Sequence, residues 1–283
     1  MGAEDKERKR HMKKNILMFG ILLASLGCIQ PNISTLPNGT VKMPFNMEEF
    51  DKRFDLAGDL ALDDMVAWWT TDSIMAEKPN QLDSLDKTWF IYEENEVRFA
   101  FYGRYDDKSG QYIPKYSFFA DKDGKVKRIS NTVEQNAVKY AQAVTTGKSK
   151  LKQIMDSLDI DVKYNHYVKK DNDNSFEMWF FPAGAGNYCA YGLDVHMQID
   201  SSRTSVKQYE IVGNGLRYFE FKDKPYKIEL DNTFAVMPSV GNLFFMIMNR
   251  KYFERIVIVN KESISSMIHS PKTKEWVWIH SVR

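Results

Sequence analysis

Four polar residues at alternate positions, Asp194, His196, Gln198 and Asp200, interleave with Leu193, Val195, Met197 and Ile199. In a β-strand successive side chains point to opposite faces, so this spacing puts the four polar groups on one face and the aliphatic groups on the other. A histidine flanked by carboxylates suits a metal site or a general base. The same alternation describes an ordinary half-buried strand with its polar side in water, which is the commoner meaning of the pattern. His196, with Asp194 and Asp200, is the catalytic candidate that the sequence offers.

Other chemistry-bearing stretches are weaker. Asp171-Asn172-Asp173-Asn174-Ser175 opens like a calcium loop, but an EF-hand needs glycine at its sixth place and a bidentate acid at its twelfth, and Phe176 and Pro182 stand there. A hairpin turn accounts for these residues better. Pro182 to Asn187 is glycine-rich, yet no lysine or helix start follows as in a phosphate loop, so it reads as a connection between strands. His166, His269 and His280 are scattered, no HExxH, CxxC or GxSxG pattern occurs, and no cofactor or metal is implied. Hydrolases that use a pair of carboxylates leave no local signature, so an envelope hydrolase built on scattered carboxylates or histidine stays an alternative. Trp276 and Trp278 share one face of a final strand. Exposed, they are candidate binding residues for a sugar ring or a protein; buried, they are core.

The elements that must position these groups indicate an α+β fold of antiparallel meander sheets with flanking helices. Asn46 caps a helix, with Glu49 as its reciprocal partner. Phe50, Phe54, Ala57, Ala61 and Met65 recur at helical spacing, and the helix is expected to end before Lys78-Pro79-Asn80. Strands are expected over 88–92, 97–102, 112–119 and 126–130, with Asp123-Gly124 as a hairpin turn. A helix over 132–144 is expected to break at Thr145-Thr146-Gly147 and resume to about Leu158. Further strands follow over 162–168, 176–181, 188–198, 206–212, 216–221 and 226–230, then a helical 241–253 and strands over 256–259, 264–269 and 276–280. Leu243 to Met248 is apolar on every side but too short to span a bilayer.

Trp89-Phe90 precedes Ala100 as Trp179-Phe180 precedes Ala190, with Tyr102-Gly103 and Tyr191-Gly192 following. This suggests two tandem, similar helix-plus-sheet units, although aromatic-rich hairpins also look alike. The resulting division is a leader over 1–27, a flexible tether over 28–44, a first helix-plus-meander unit with its linking helix over 45–158, and a second, β-rich unit over 159–283.

Lys13-Lys14 precede a short apolar run, Ile16–Leu26, which is well below the roughly 20 residues of a membrane-spanning helix. That is the pattern of an export signal. Met12-Lys13-Lys14 is itself a normal bacterial start, so Met12 is the expected natural initiator. The run ends in Ser25-Leu26-Gly27-Cys28, which resembles the lipobox of bacterial lipoprotein precursors. Gly27 and Cys28 match it, whereas Ser25 replaces the usual leucine and Leu26 is larger than usual. The resemblance covers the signal alone. It implies that Cys28 is acylated with palmitate-type lipid and becomes the first mature residue, placing the protein on a membrane of the bacterial cell envelope, facing the periplasm. Ser25 and Gly27 also offer ordinary small-x-small cleavage, after which Cys28 and Cys189 could pair in an oxidising compartment. With Cys28 acylated, Cys189 is a lone thiol, expected to be buried in a strand.

Six Lys/Arg and three acids lie before Cys28, leaving 33 basic against 35 acidic residues and a net charge of −2. Such a balance gives no electrostatic footprint for nucleic acid. The expected role is non-enzymatic binding in the envelope, with a protein or an envelope component as ligand. An immunity-type lipoprotein that blocks an incoming toxin is one specific form. The alternatives are the hydrolase and a glycan-binding module.

Overall fold

Two four-stranded antiparallel sheets lie side by side between two helices in the computed structural model, which describes residues 43–77, 88–121, 124–130, 135–220, 227–270, 272–273 and 275–283. The leader, Cys28 and the tether before residue 43 lie outside the described residues, as does the expected turn at 78–80.

Helix α1 (Met47–Glu77) begins where Asn46 Oδ1 accepts the Glu48 N–H at 2.8 Å. Glu49 does not reach back to the cap; it accepts from Arg53 one turn on. Strands β1 (Thr88–Glu94), β2 (Val97–Asp106), β3 (Gln111–Ala120) and β4 (Val126–Arg128) form the first sheet in sequence order. Helix α2 spans Gln135–Ser157 without interruption. The expected break at Gly147 is absent, because this glycine serves packing. A Cβ there would lie 2.5 Å from the sulfur of buried Met178. Thr145 returns its hydroxyl to the Ala141 carbonyl, and Thr146 donates to the Arg203 carbonyl, so neither stops the helix.

The second sheet has the order β5 (Tyr164–Lys170), β6 (Phe176–Pro182), β8 (Asp194–Ile199) and β9 (Val206–Val212). The expected strand over 188–198 is split. Gly192 and Leu193 both have positive φ (90° and 55°), and the Gly192 α-carbon is pressed toward the Gly215 carbonyl. This kink sends β7 (Tyr188–Tyr191) to pair with β10 (Arg217–Glu220) and returns β8 to β6. Cys189 on β7 is a buried free thiol, and burial pushes it up to about 12, where it is unreactive.

The two sheets meet along β1 and β5, where His166 donates through Nε2–H to the Trp89 carbonyl across 2.7 Å. One face of both is covered by α2, around Phe90, Tyr140, Met178 and Met197. On the opposite face the second half of α1 packs against the first sheet through Val66 and Ile74, and Leu60 packs on Tyr167, Trp179 and Phe181 of the second. The remaining sheet has the order β11 (Lys227–Asn232), β12 (Arg255–Asn260), β13 (Ser263–His269) and β14 (Trp276–Val282), with β11 and β12 parallel. Helix α3 (Val240–Asn249) links those two, capped by Ser239 and Asn242 in reciprocal hydrogen bonds, and a short 3-10 turn, Arg250–Tyr252, follows it.

Both helix-then-meander blocks are present, yet the residues that suggested a duplication occupy different places in them. Trp89 is in the first strand of its sheet, Trp179 in the second, and Ala190 in the excursion β7. The division at 158/159 is crossed by α1, whose Phe50 and Ala57 share a core with Leu230, Leu243 and Ile258.

Candidate functional site

Along β8 the expected alternation holds for three of the four polar residues. Val195, Met197 and Ile199 enter the core under α2, while Asp194, His196 and Gln198 face the other way. Asp200 lies past the strand end in the β8–β9 turn. Its carboxylate accepts from the Ser202 and Ser205 hydroxyls and from the Thr204 N–H. Desolvation raises it, and the hydrogen bonds together outweigh this to hold it at about 2. Asp200 is a turn-forming residue with no route to His196. Asp194 is nearly buried under α3, so it does not share an open face with His196 either.

The partners of His196 come from neighbouring strands. Its Nε2 lies 3.1 Å from Glu177 on β6 and its Nδ1 3.4 Å from Glu210 on β9. Register explains both, since His196 is directly opposite Trp179 and Glu210, and Glu177 is the diagonal neighbour. The imidazole stacks on Trp179 with centroids 5.1 Å apart and 15° between planes. Burial alone would lower its pKa, but the two glutamates prevail and raise it above 6.5. With carboxylates at both ring nitrogens, the imidazolium form of His196 is favoured over the neutral ring. A general base needs a free lone pair, so this geometry favours an ion-paired clamp over base catalysis. Among the described residues, no group of three or more His, Cys, Asp or Glu is arranged to hold a metal ion.

Folding raises the His196 pKa, so its contribution to stability is complete below 6.5 and is lost as pH rises through the folded value. His166 has the opposite sign. It is buried, and desolvation lowers it to about 3, so its contribution is complete above 6.5 and declines as pH falls toward 3. His280, stacked on Trp278 and bonded through Nδ1 to Ser265, is lowered to about 4 by burial. Proton-coupled NMR of the imidazoles at pH 6 should therefore find His196 protonated and His166 neutral. A neutral His196 at that pH would break the assignment of the clamp.

Trp276 and Trp278 belong to the core edge. Trp278 meets Phe50 edge-on at 5.0 Å and Phe54 at 5.6 Å, and Trp276 lies beneath the Arg250 guanidinium and against His269. Both are half-buried, with part of each ring packed against the core around Phe50 and Leu243. Asp171–Ser175 forms the hairpin turn between β5 and β6, and 183–187 joins β6 to β7.

Two shallow clefts flank α2. One of about 390 Å³ is lined by Ser149, Lys150, Gln153, Thr204 and Asp107, and one of about 300 Å³ includes Lys148, Tyr164 and His166. Neither contains His196. Beside the clamp lies β9, which among the described residues is an edge strand of its sheet, with Lys207–Ile211 all exposed. Tyr209 is 48% exposed beneath the Lys150 ammonium, and Ile211 is 37% exposed. Tyr188 and Tyr218 on the β7–β10 ribbon are also exposed.

Glu177, Glu210 and the β9 edge were not legible as a site. The glutamates become partners of His196 only through strand register, and an edge strand looks like an interior one until the strand order is known. The chain matches no protein-family model, no curated protein and no solved structure.

Proposed function

We propose that this protein is an exported, lipid-anchored envelope protein whose folded domain binds a protein partner along β9. Lipid on Cys28 and a periplasm-facing location are supported by the basic tip, the short apolar run and the lipobox-like Ser25-Leu26-Gly27-Cys28. The observation that carries the binding role is the open edge of β9. Among the described residues no strand pairs with its outer side, and Tyr209 and Ile211 offer exposed aromatic and aliphatic surface beside it. An edge of this kind accepts an extended segment of another chain as an added strand, with main-chain hydrogen bonds giving affinity and alternate side chains giving selectivity. The β9 charges Lys207 and Glu210 oppose indiscriminate pairing, so the partner must match them.

Detergent extraction of the native protein, followed by size exclusion and mass spectrometry, tests both parts. The mature chain is expected to begin at acylated Cys28, and Cys28→Ser is expected to release the protein from the membrane fraction. A stoichiometric protein partner should co-elute with the native chain and be lost from Tyr209→Asp/Ile211→Asp. A partner retained by that variant would move the interface away from β9, and a lone monomer would remove the partner.

A further inference from the structure

Asp194 is a carboxyl group in an unusual place. It opens β8, is 8% exposed, and sits under the first turn of α3, so close to Gly241 that a Cβ there would collide with its Oδ2. Phe181 of β6 closes the same space, and Val212 of β9 lies opposite it in the ladder. Among the described residues no hydrogen bond or ion pair reaches the carboxyl. The titratable groups facing it are two phenols, and both hydroxyls are engaged elsewhere. Tyr164 donates to the Leu193 carbonyl at 3.0 Å, and Tyr191 donates to the Asp231 carbonyl at 3.0 Å while accepting from Asn242. Beyond Tyr191 lie Asp231 and Arg217, which face each other at 3.9 Å. His196, two residues along β8, is held by its own glutamates.

A neutral carboxyl tolerates such a seam, but a carboxylate without a partner there is costly. We infer that the contact between β8 and α3 is a proton-operated joint: with Asp194 neutral α3 stays docked on the second sheet, and with Asp194 ionised α3 undocks. Burial alone is the cause of the shift that raises this carboxyl to about 7, which places the transition in the neutral range. Undocking would also release α3 from α1, because both share the core around Leu243 and Phe50. The joint does not depend on lipidation or on a partner at β9.

Hydrogen exchange of the full-length protein between pH 5 and 9 tests this. After correction for the intrinsic pH dependence of exchange, opening of the α3 amides should rise by about tenfold per pH unit, roughly a hundredfold from pH 5 to 7, and level off above. Asp194→Asn keeps the shape and removes the charge, so it should flatten that rise. His196 also loses its proton with rising pH but is intact in the variant, so the difference between the two proteins isolates Asp194. An unchanged profile in Asp194→Asn overturns the joint. So does α3 protection that increases with pH, because the carboxylate would then be capping the helix N-terminus. Carbon-13 titration of the wild-type carboxyl needs no variant: a midpoint near 7 is expected, and one in the ordinary carboxylate range overturns the inference.

Discussion

Arg98→Met is expected to lower the free energy of unfolding by about 3–5 kcal/mol, read as a fall in the urea midpoint at unchanged slope. Arg98 on β2 donates through Nε to Asp63 of α1 at 3.0 Å, contacts Asp59, and pairs with Glu93 at 2.7 Å. Lys169 on β5 meets the same two aspartates, lying 2.7 Å from Asp63. Burial would lower the Lys169 ammonium, but Asp63 and Asp59 outweigh it and hold it above its ordinary value. One helix is thus tied to both sheets at the seam where they meet. Asp63 is 2% exposed, so removing the guanidinium leaves a buried carboxylate with Lys169 as its remaining cation. Methionine replaces the stem but supplies no charge, and the loss is dominated by that stranded carboxylate. A change under about 1 kcal/mol would mean that water reaches the cluster and screens it as on a surface.

This network also lies beyond what local sequence pattern carries. The helical stripe of Phe50, Phe54, Ala57, Ala61 and Met65 is visible because apolar spacing is local; Phe50, Ala57 and Ala61 are buried, and Phe54 and Met65 are half-buried. Asp63 and Asp64 lie on the same helix and are buried too, yet their types place them in water. Asp64 is satisfied by the Tyr167 hydroxyl at 2.6 Å and the exposed Trp68 indole at 3.1 Å, and Asp63 by cations from two separate strands. Apart from Trp68, one turn along the same helix, those partners exist only after the sheets assemble. The α+β architecture and the inward face of β8 followed from period and turn residues, which are properties of short windows. The environment of Asp194, by contrast, depends on α3 arriving from nearly fifty positions later, and the His196 clamp on two strand registers. Gly147 misled for the related reason that a glycine required by packing looks the same as one that ends a helix.

Gly103→Ala is expected to cost about 3 kcal/mol or to prevent folding, at the upper end of overpacking effects. The expected strand stopped at Tyr102, but β2 continues to Asp106 because a bulge between Tyr102 and Gly103 resets its register against β3. At this point Gly103 faces Pro114, which has no N–H to give the ladder, and the strands close tightly around the gap. A Cβ on Gly103 would lie 2.2 Å from the Ile113 carbonyl oxygen and 2.8 Å from the Pro114 α-carbon. Both are backbone atoms, so no rotamer change relieves the overlap. Relief requires β2 and β3 to separate, which disrupts the pairings of Arg104 with Ile113 and Tyr105 with Tyr112 beyond the bulge. Gly147→Ala is the informative comparison. Its nearest obstacle is the flexible Met178 side chain, which can move, so its penalty should be clearly smaller. Equal losses in chemical denaturation of the two variants would show that the bulge yields as easily as a methionine side chain, and that the first sheet is not pinned at Gly103.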